Sequence, residues 1–174
     1  LQLTLKDDKK QLQEILKSLD SEEVKDYKPK ELIEMEKIYP ESSLKRLFPN
    51  YHFYNQRKIS EETQKFFRVG LSGSGQMYRR MVFPIYNEHS QIIGFSGRRV
   101  DEGSYSKWKH IGRKKRWIYP CHIPAEESID QVIDESESVY IVESIGDAMA
   151  FYEQGIKNVI CIFGTSVSSY VINY

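Results

Sequence analysis

The sequence predicts a mixed α/β protein: an α+β N-terminal part over residues 1–138, built of helices and an antiparallel hairpin, then a parallel βαβ unit over residues 139–174. Two observations carry this. Residues 139–142 (VYIV) and 159–163 (VICIF) are short, largely β-branched apolar runs flanking a stretch in which Ala148, Met149, Phe151 and Tyr152 fall at helical spacing. Strand, helix and strand at this length form a crossover unit, with ligands expected at the carboxyl ends of its strands. Upstream, residues 81–86 and 91–96 are strand-like and are joined by Asn87-Glu88-His89-Ser90, a turn sequence.

Taken in order, the chain opens with an amphipathic stripe, Leu12, Ile15, Leu16 and Leu19, and a second helix after Pro29 carrying Leu32, Ile33 and Met35. Both read as packing or docking surfaces. Pro40 and Pro49 bracket a short helix expected around residues 44–48, and Ser60 with Glu61 and Glu62 supplies the cap and first-turn acids of another, running to about Phe67. A strand over residues 68–71 leads into Ser72-Gly73-Ser74-Gly75. That loop lacks both the Gly-Lys-Ser/Thr ending of a phosphate loop and a following GxGxxG helix start, so it reads as a plain connection.

In the hairpin, a four-residue turn sets Tyr86 opposite Gln91 and therefore Arg79 and Arg80 opposite Arg98 and Gly97. Like charges facing across strands cost stability, which points to an anion that compensates them, or else to Arg side chains splayed into water or paired with acids from the helical region. Beyond Ser104, basic residues interleave with Tyr105, Trp108, Trp117 and Tyr119. Aromatic faces stack bases while Lys and Arg follow phosphates, the pattern of a single-stranded nucleic acid or nucleotide site. Trp117 and Tyr119 flank Ile118 as structural residues, leaving Arg98 and Lys107 as contact candidates. Residues 126–138 are acidic, partly helical surface.

In the βαβ unit, residues 139–142 are expected to be buried on both faces, Glu143 closes the first strand, Gly146 supplies a tight turn, and Gly155 a left-handed helix end. Asp147 follows Glu143 by four residues, in the first turn of the helix. Two such acids suit a hard cation such as Mg2+, which takes few carboxylates and shares substrate phosphates. A carboxylate in that first turn reads equally well as a helix cap.

The composition, 40% apolar and 13% aromatic over 174 residues, supports one ordinary domain or two small ones. With neither a membrane-length apolar run nor a secretory leader pattern, a cytoplasmic location is expected. Cys121 and Cys161 read as packing residues, and the four histidines lack metal-ligand spacing. Formal net charge is zero, but residues 79–117 hold ten basic and three acidic side chains, a +7 segment within an otherwise −7 chain. A basic middle of this kind suits a polyanion. The chain starts at Leu1 and stops at Tyr174 inside what reads as another helix, so a piece of a longer protein is expected.

Four stretches, RKISEETQKFFRVG, RRMVFPIYNEHSQIIGFSGRR, SKWKHIG with WIYP, and VYIVESIGDAMAFYEQGIKNVICIFGTS, together resemble the RNA polymerase core of bacterial and bacteriophage DNA primases containing a Toprim domain, over residues 59–168. The phage form is closer, since Glu143-Ser144 stands where Glu-Gly is usual. The resemblance implies a Toprim-like sheet whose first half is residues 139–174, and a nucleotidyltransferase that makes short RNA primers on single-stranded DNA from ribonucleoside triphosphates. It implies Glu143 as catalytic acid, Glu143 and Asp147 as ligands of Mg2+ or Mn2+, and Arg80, Arg98 and Lys107 as the lining of the nucleotide and template groove. It also implies a zinc module before Leu1, Asp-x-Asp metal ligands after Tyr174, and contact with a replicative helicase outside this chain, in the cytoplasm of a bacterial or phage-infected cell. This chain alone would then be inactive. A Toprim topoisomerase or nuclease would share Glu143 and Asp147 without needing the RMVFPI and GFSGR hairpin; a non-catalytic module for single-stranded nucleic acid would need only the basic segment.

Overall fold

The run RMVFPIY is apolar after its first residue and shows no alternation, as a strand covered on both faces requires. In the computed structural model, which describes residues 36–101, 106–125 and 129–174, it is β3 (Arg80–Tyr86), buried at every position. It is the middle strand of a five-stranded antiparallel sheet in the order β1-β2-β3-β4-β5. The other strands are β1 (Leu47–Phe48), β2 (Gly70–Ser72), β4 (Ile92–Arg99) and β5 (Trp108–Ile111). Pro84, which has no N–H to give, lies beyond the point where β2 stops pairing, at Val82.

Two expectations are corrected at the start of this sheet. Instead of a helix over residues 44–48, a 3₁₀ turn (Glu41–Arg46) ends in β1, which pairs with β2 through Leu47 opposite Ser72 and Phe48 opposite Leu71. Phe48 precedes Pro49, which disfavours helical backbone, and Gly70 leaves room for Leu47: a Cβ there would lie 2.7 Å from the Leu47 Cβ. The strand expected from residue 68 begins at Gly70, because Arg68 turns at φ 51° after α2 (Glu61–Phe66). α2 itself is capped by Ser60 Oγ, which accepts from Thr63 N–H. α1 (His52–Asn55) precedes it.

The hairpin forms, but its register moves by two residues. Asn87 Oδ1 accepts from the N–H groups of His89 and Gln91, Tyr86 pairs with Ile92, and Ile85 then pairs with Gly94, so Ile93 is an extra residue. Arg80 consequently faces Arg99, and Arg98 faces Met81. The like charges at the open end are met from within: Asp101 pairs with both Arg79 (3.5 Å) and Arg99.

β6 (Tyr140–Val142) and β7 (Val159–Cys161) pair in parallel across α4 (Ile145–Glu153), the predicted unit. Gly155 ends α4 at φ 79°, where the left-handed region favours glycine. Gly146, however, is the second residue of α4 rather than a turn before it. β6 also departs from expectation: Tyr140 and Ile141 are 47% and 53% exposed, since among the described residues β6 has one strand neighbour, β7. β7 is fully buried. α3 (Ile129–Asp134) and α5 (Ser169–Ile172) complete the described α-helices.

Residues 36–174 form one compact unit. Ile145, Ala148, Met149, Val159 and Phe163 share a core with Tyr54, Phe67, Phe83 and Trp117, so side chains from both sides of the expected 138/139 boundary fill one interior. Cys121 and Cys161 are buried free thiols. The stripes at residues 12–19 and 32–35, and Tyr105, lie outside the described residues. Among the described residues no helix is long and apolar enough to cross a membrane.

A clasp across the fold gives a test. Glu153 Oε2 at the end of α4 accepts from Ser60 N–H (3.0 Å), Ser60 Oγ (2.8 Å) and Thr63 Oγ1 (2.5 Å), and these bonds hold its carboxyl below the ordinary range. A depressed folded value means that the contribution is present above the unfolded value near 4.5 and fades as pH falls through the folded one. Glu153→Gln is expected to lower the melting temperature at pH 7 and to converge on the unsubstituted chain as pH falls below the ordinary carboxylate range; thermal melts across pH check this.

Candidate functional site

The carboxyl ends of the two parallel strands open toward the antiparallel sheet, leaving a cleft of about 600 Å³. One wall comes from the β6–α4 turn and carries Glu143, Ser144 and Asp147. Both carboxylates are exposed. Asp147 Oδ2 accepts from Ser144 N–H (3.2 Å) and Ser144 Oγ (2.8 Å), reaching back to the residue before the helix, so the capping role is real for that oxygen. Its Oδ1 and the whole Glu143 carboxylate have no hydrogen-bond partner among the described residues. Those residues contain no group of three or more His, Cys, Asp or Glu side chains placed to hold a metal ion.

The opposite wall alternates cations with rings. Arg57 lies 3.8 Å from the Phe53 ring centre and donates to the Phe53 carbonyl (2.6 Å). Arg98 stands 5.8 Å from both the Phe53 and Trp108 ring centres. The Trp108 and His110 rings are parallel to within 4°, at a centroid separation of 6.5 Å. The β4–β5 register explains this order: Arg98 pairs with Trp108 and Ser96 with His110, so the four residues share a face. Burial lowers the Arg98 pKa from its ordinary value, and Arg57 and Arg80 add repulsion, while the guanidinium stays charged. No acid among the described residues pairs with Arg98 or Lys107. Three cations, Arg57, Arg98 and Lys107, none paired with an acid among the described residues, thus share the cleft with two carboxylates.

Four of the five predicted site residues, Glu143, Asp147, Arg98 and Lys107, line this cleft. Arg80 does not. It is 6% exposed, and its guanidinium donates to the carbonyls of Gly97, Ser106 and Lys107. Sequence reasoning missed Arg57 and Phe53, although their i, i+4 spacing was a signal that they meet on one helical turn.

A family profile described as the DNA primase catalytic core, N-terminal domain, matches residues 74–120. A DNA primase from Lactococcus lactis is 34% identical over 91 residues, 51% of this chain and 14% of the relative. One from Legionella pneumophila is 29% identical over 142 residues, 75% of this chain and 22% of the relative. The chain therefore spans less than a quarter of the length of these relatives. A solved DnaG primase catalytic domain bound to single-stranded DNA superposes with a TM-score of 0.59 at 20% identity, covering 70% of this chain and 48% of that one. The fold is that of a DNA primase catalytic core. In this primase-like fold the profile match takes in β3, β4 and β5, and so Arg80, Arg98 and Lys107.

His110 supplies a pH test of the basic wall. Its Nδ1 lies 3.1 Å from the buried Ser96 Oγ, and burial, with repulsion from Lys114 and Arg80, pushes its pKa down to about 4. A histidine held neutral in the fold but protonated when unfolded subtracts stability as pH falls from about 6.5 to 4. Given its partial exposure, that loss is ~1–2 kcal/mol. Denaturant titrations at both pH values should show a smaller acid loss for His110→Gln than for the unsubstituted chain.

Proposed function

We propose that this chain is part of the RNA polymerase core of a DNA primase, with residues 139–174 beginning its Toprim domain, and that the parent protein makes short RNA primers on single-stranded DNA. The observation that carries this reading is the cleft itself: a cation and aromatic wall facing a pair of carboxylates at the carboxyl end of a parallel strand. A polyanion stacks and is neutralised along Phe53, Arg57, Arg98, Lys107 and Trp108, a wall suited to a single strand or a nucleoside triphosphate. The single-stranded DNA in the similar DnaG catalytic domain supports the same assignment.

Glu143 and the free oxygen of Asp147 fit a hard divalent cation, Mg2+ or Mn2+, as two carboxylate donors whose remaining positions water and substrate phosphates fill; when bound, it would supply Lewis-acid polarisation of a phosphoryl oxygen. In the reaction a 3′-hydroxyl attacks the α-phosphorus of a ribonucleoside triphosphate. One P–O bond forms, the α–β bridge breaks, and pyrophosphate leaves. Glu143, exposed and unpartnered, takes the hydroxyl proton or orients the hydroxyl. Arg98 and Lys107 balance the triphosphate charge, while the Ser144 contact with Asp147 fixes the turn that presents both acids.

The parent would work in the cytoplasm of a bacterial or phage-infected cell, the phage form being favoured by Ser144 after Glu143. The zinc module and replicative helicase contact fall to regions outside this chain. A Toprim topoisomerase or nuclease would share the acids but has no need of the RMVFPI and GFSGR hairpin that forms β3 and β4.

Binding of a fluorescent oligothymidylate across salt concentrations tests the basic wall. Arg98→Ala is expected to weaken binding and to flatten the slope of log K against log salt by about one for a lost phosphate contact; unchanged affinity and slope would remove the assignment. In the parent protein, Glu143→Gln is expected to preserve folding and template binding while templated ribonucleotide incorporation falls by at least ~10²-fold. Primer synthesis at the normal rate would show that the catalytic acid lies elsewhere.

A further inference from the structure

Arg80 is the cation of the predicted set that the cleft does not use, and the fold treats it unusually. Its guanidinium donates three hydrogen bonds to backbone carbonyls: Nη1 to Gly97 (3.1 Å) and Lys107 (3.2 Å), and Nη2 to Ser106 (2.8 Å). Those carbonyls come from two segments. Gly97 precedes Arg98 in β4, and Ser106 and Lys107 lead into β5. The space is prepared for it: a Cβ on Gly97 would lie 3.1 Å from Arg80 Cδ and 2.7 Å from Met77 Sδ, so glycine there admits the Arg80 stem. The Lys107 carbonyl also accepts from Arg99 N–H (3.0 Å), which fixes the same peptide from the strand side. A planar fork with several donors can tie separated carbonyls into one geometry, which an ammonium on a flexible stem cannot.

We propose that Arg80 is a positioning residue, a guanidinium clamp that sets Arg98 and Lys107 at the mouth of the cleft, and that it acts on the bound polyanion only through them. This rests on the cleft being the nucleic-acid and nucleotide site. Arg80 makes Lys107 effective by holding its peptide, so the two are expected to be coupled, whereas two direct phosphate contacts at separate places would act independently.

The experiment is a double-mutant cycle with Arg80→Lys and Lys107→Ala, read by binding of the fluorescent oligothymidylate. Arg80→Lys keeps the charge and loses the fork. The clamp predicts that it weakens binding at least as much as Lys107→Ala does, since Arg98 is displaced too, and that Lys107→Ala costs less than ~2-fold in its background. Near-normal binding by Arg80→Lys, or an equal cost of Lys107→Ala in both backgrounds, overturns the proposal. Gly97→Ala is the second variant: it changes no charge but displaces Met77 and crowds the Arg80 stem, and is expected to weaken binding in the same direction; a folded Gly97→Ala chain with unchanged affinity counts against the clamp. Backbone amide exchange over residues 107–111 needs no ligand. It is expected to quicken in Arg80→Lys, and unchanged protection overturns the proposal. If the unsubstituted chain does not bind the oligonucleotide, the functional reading fails while the exchange result still decides the clamp.

Discussion

The position of the acids relative to the cations depends on how one residue, Phe163, leaves the second parallel strand. It stands at φ 56°, a conformation that a bulky side chain adopts only under constraint, at a cost on the order of 1–3 kcal/mol. The constraint is its ring, which is buried with centroids 5.0 Å from Trp117, 5.6 Å from His110 and 5.8 Å from Tyr119. Burying a phenylalanine contributes about 1.5–3 kcal/mol, and each well-placed ring pair adds ~0.5–1.5 kcal/mol, which offsets the backbone strain. Lys114 Nζ secures the same residue by donating to the Phe163 carbonyl (2.9 Å). The βαβ unit is thereby fastened to the antiparallel sheet at the end where Glu143 emerges.

That attachment creates a cleft whose charges are deliberately left apart. Elsewhere the fold pairs its charges at short range: Asp101 with Arg79 and Arg99, Glu41 with Arg68. In the cleft, Arg98 is steadied by the faces of Phe53 and Trp108 instead of by an acid, and so keeps its charge available. Asp147 gives one oxygen to the helix and retains the other. Local rigidity and chemical availability are separated within single side chains, which lets the site bind an anion without first breaking an ion pair.

The polyanion reading and the fold reading meet in the β4–β5 register. Arg98 opposite Trp108 and Ser96 opposite His110 set alternating residues of two strands on one face. Arg57 extends that face from a different element, because α1 packs Tyr54 into the core at 3% exposure and so turns Arg57 and Phe53 toward the cleft.

By itself the sequence determined the local elements: the hairpin from two apolar runs about a turn, the crossover unit from its periodicity, the helix end at Gly155, and the pairing of Glu143 with Asp147 on one turn. These follow from backbone chemistry acting over a few residues. Only the tertiary structure decided the rest. The two-residue change of register came half from a turn that takes in Gln91 and half from a bulge at Ile93, neither of which a short-range rule specifies. The exposure of β6 depends on what packs beside it. Arg80 and Arg98 have the same side chain, yet one is buried as a clamp and the other faces the cleft, because Gly97 makes room for the first and Phe53 and Trp108 flank the second. Side-chain type was legible in the sequence; the direction of each charge was set by contacts between residues distant in the chain.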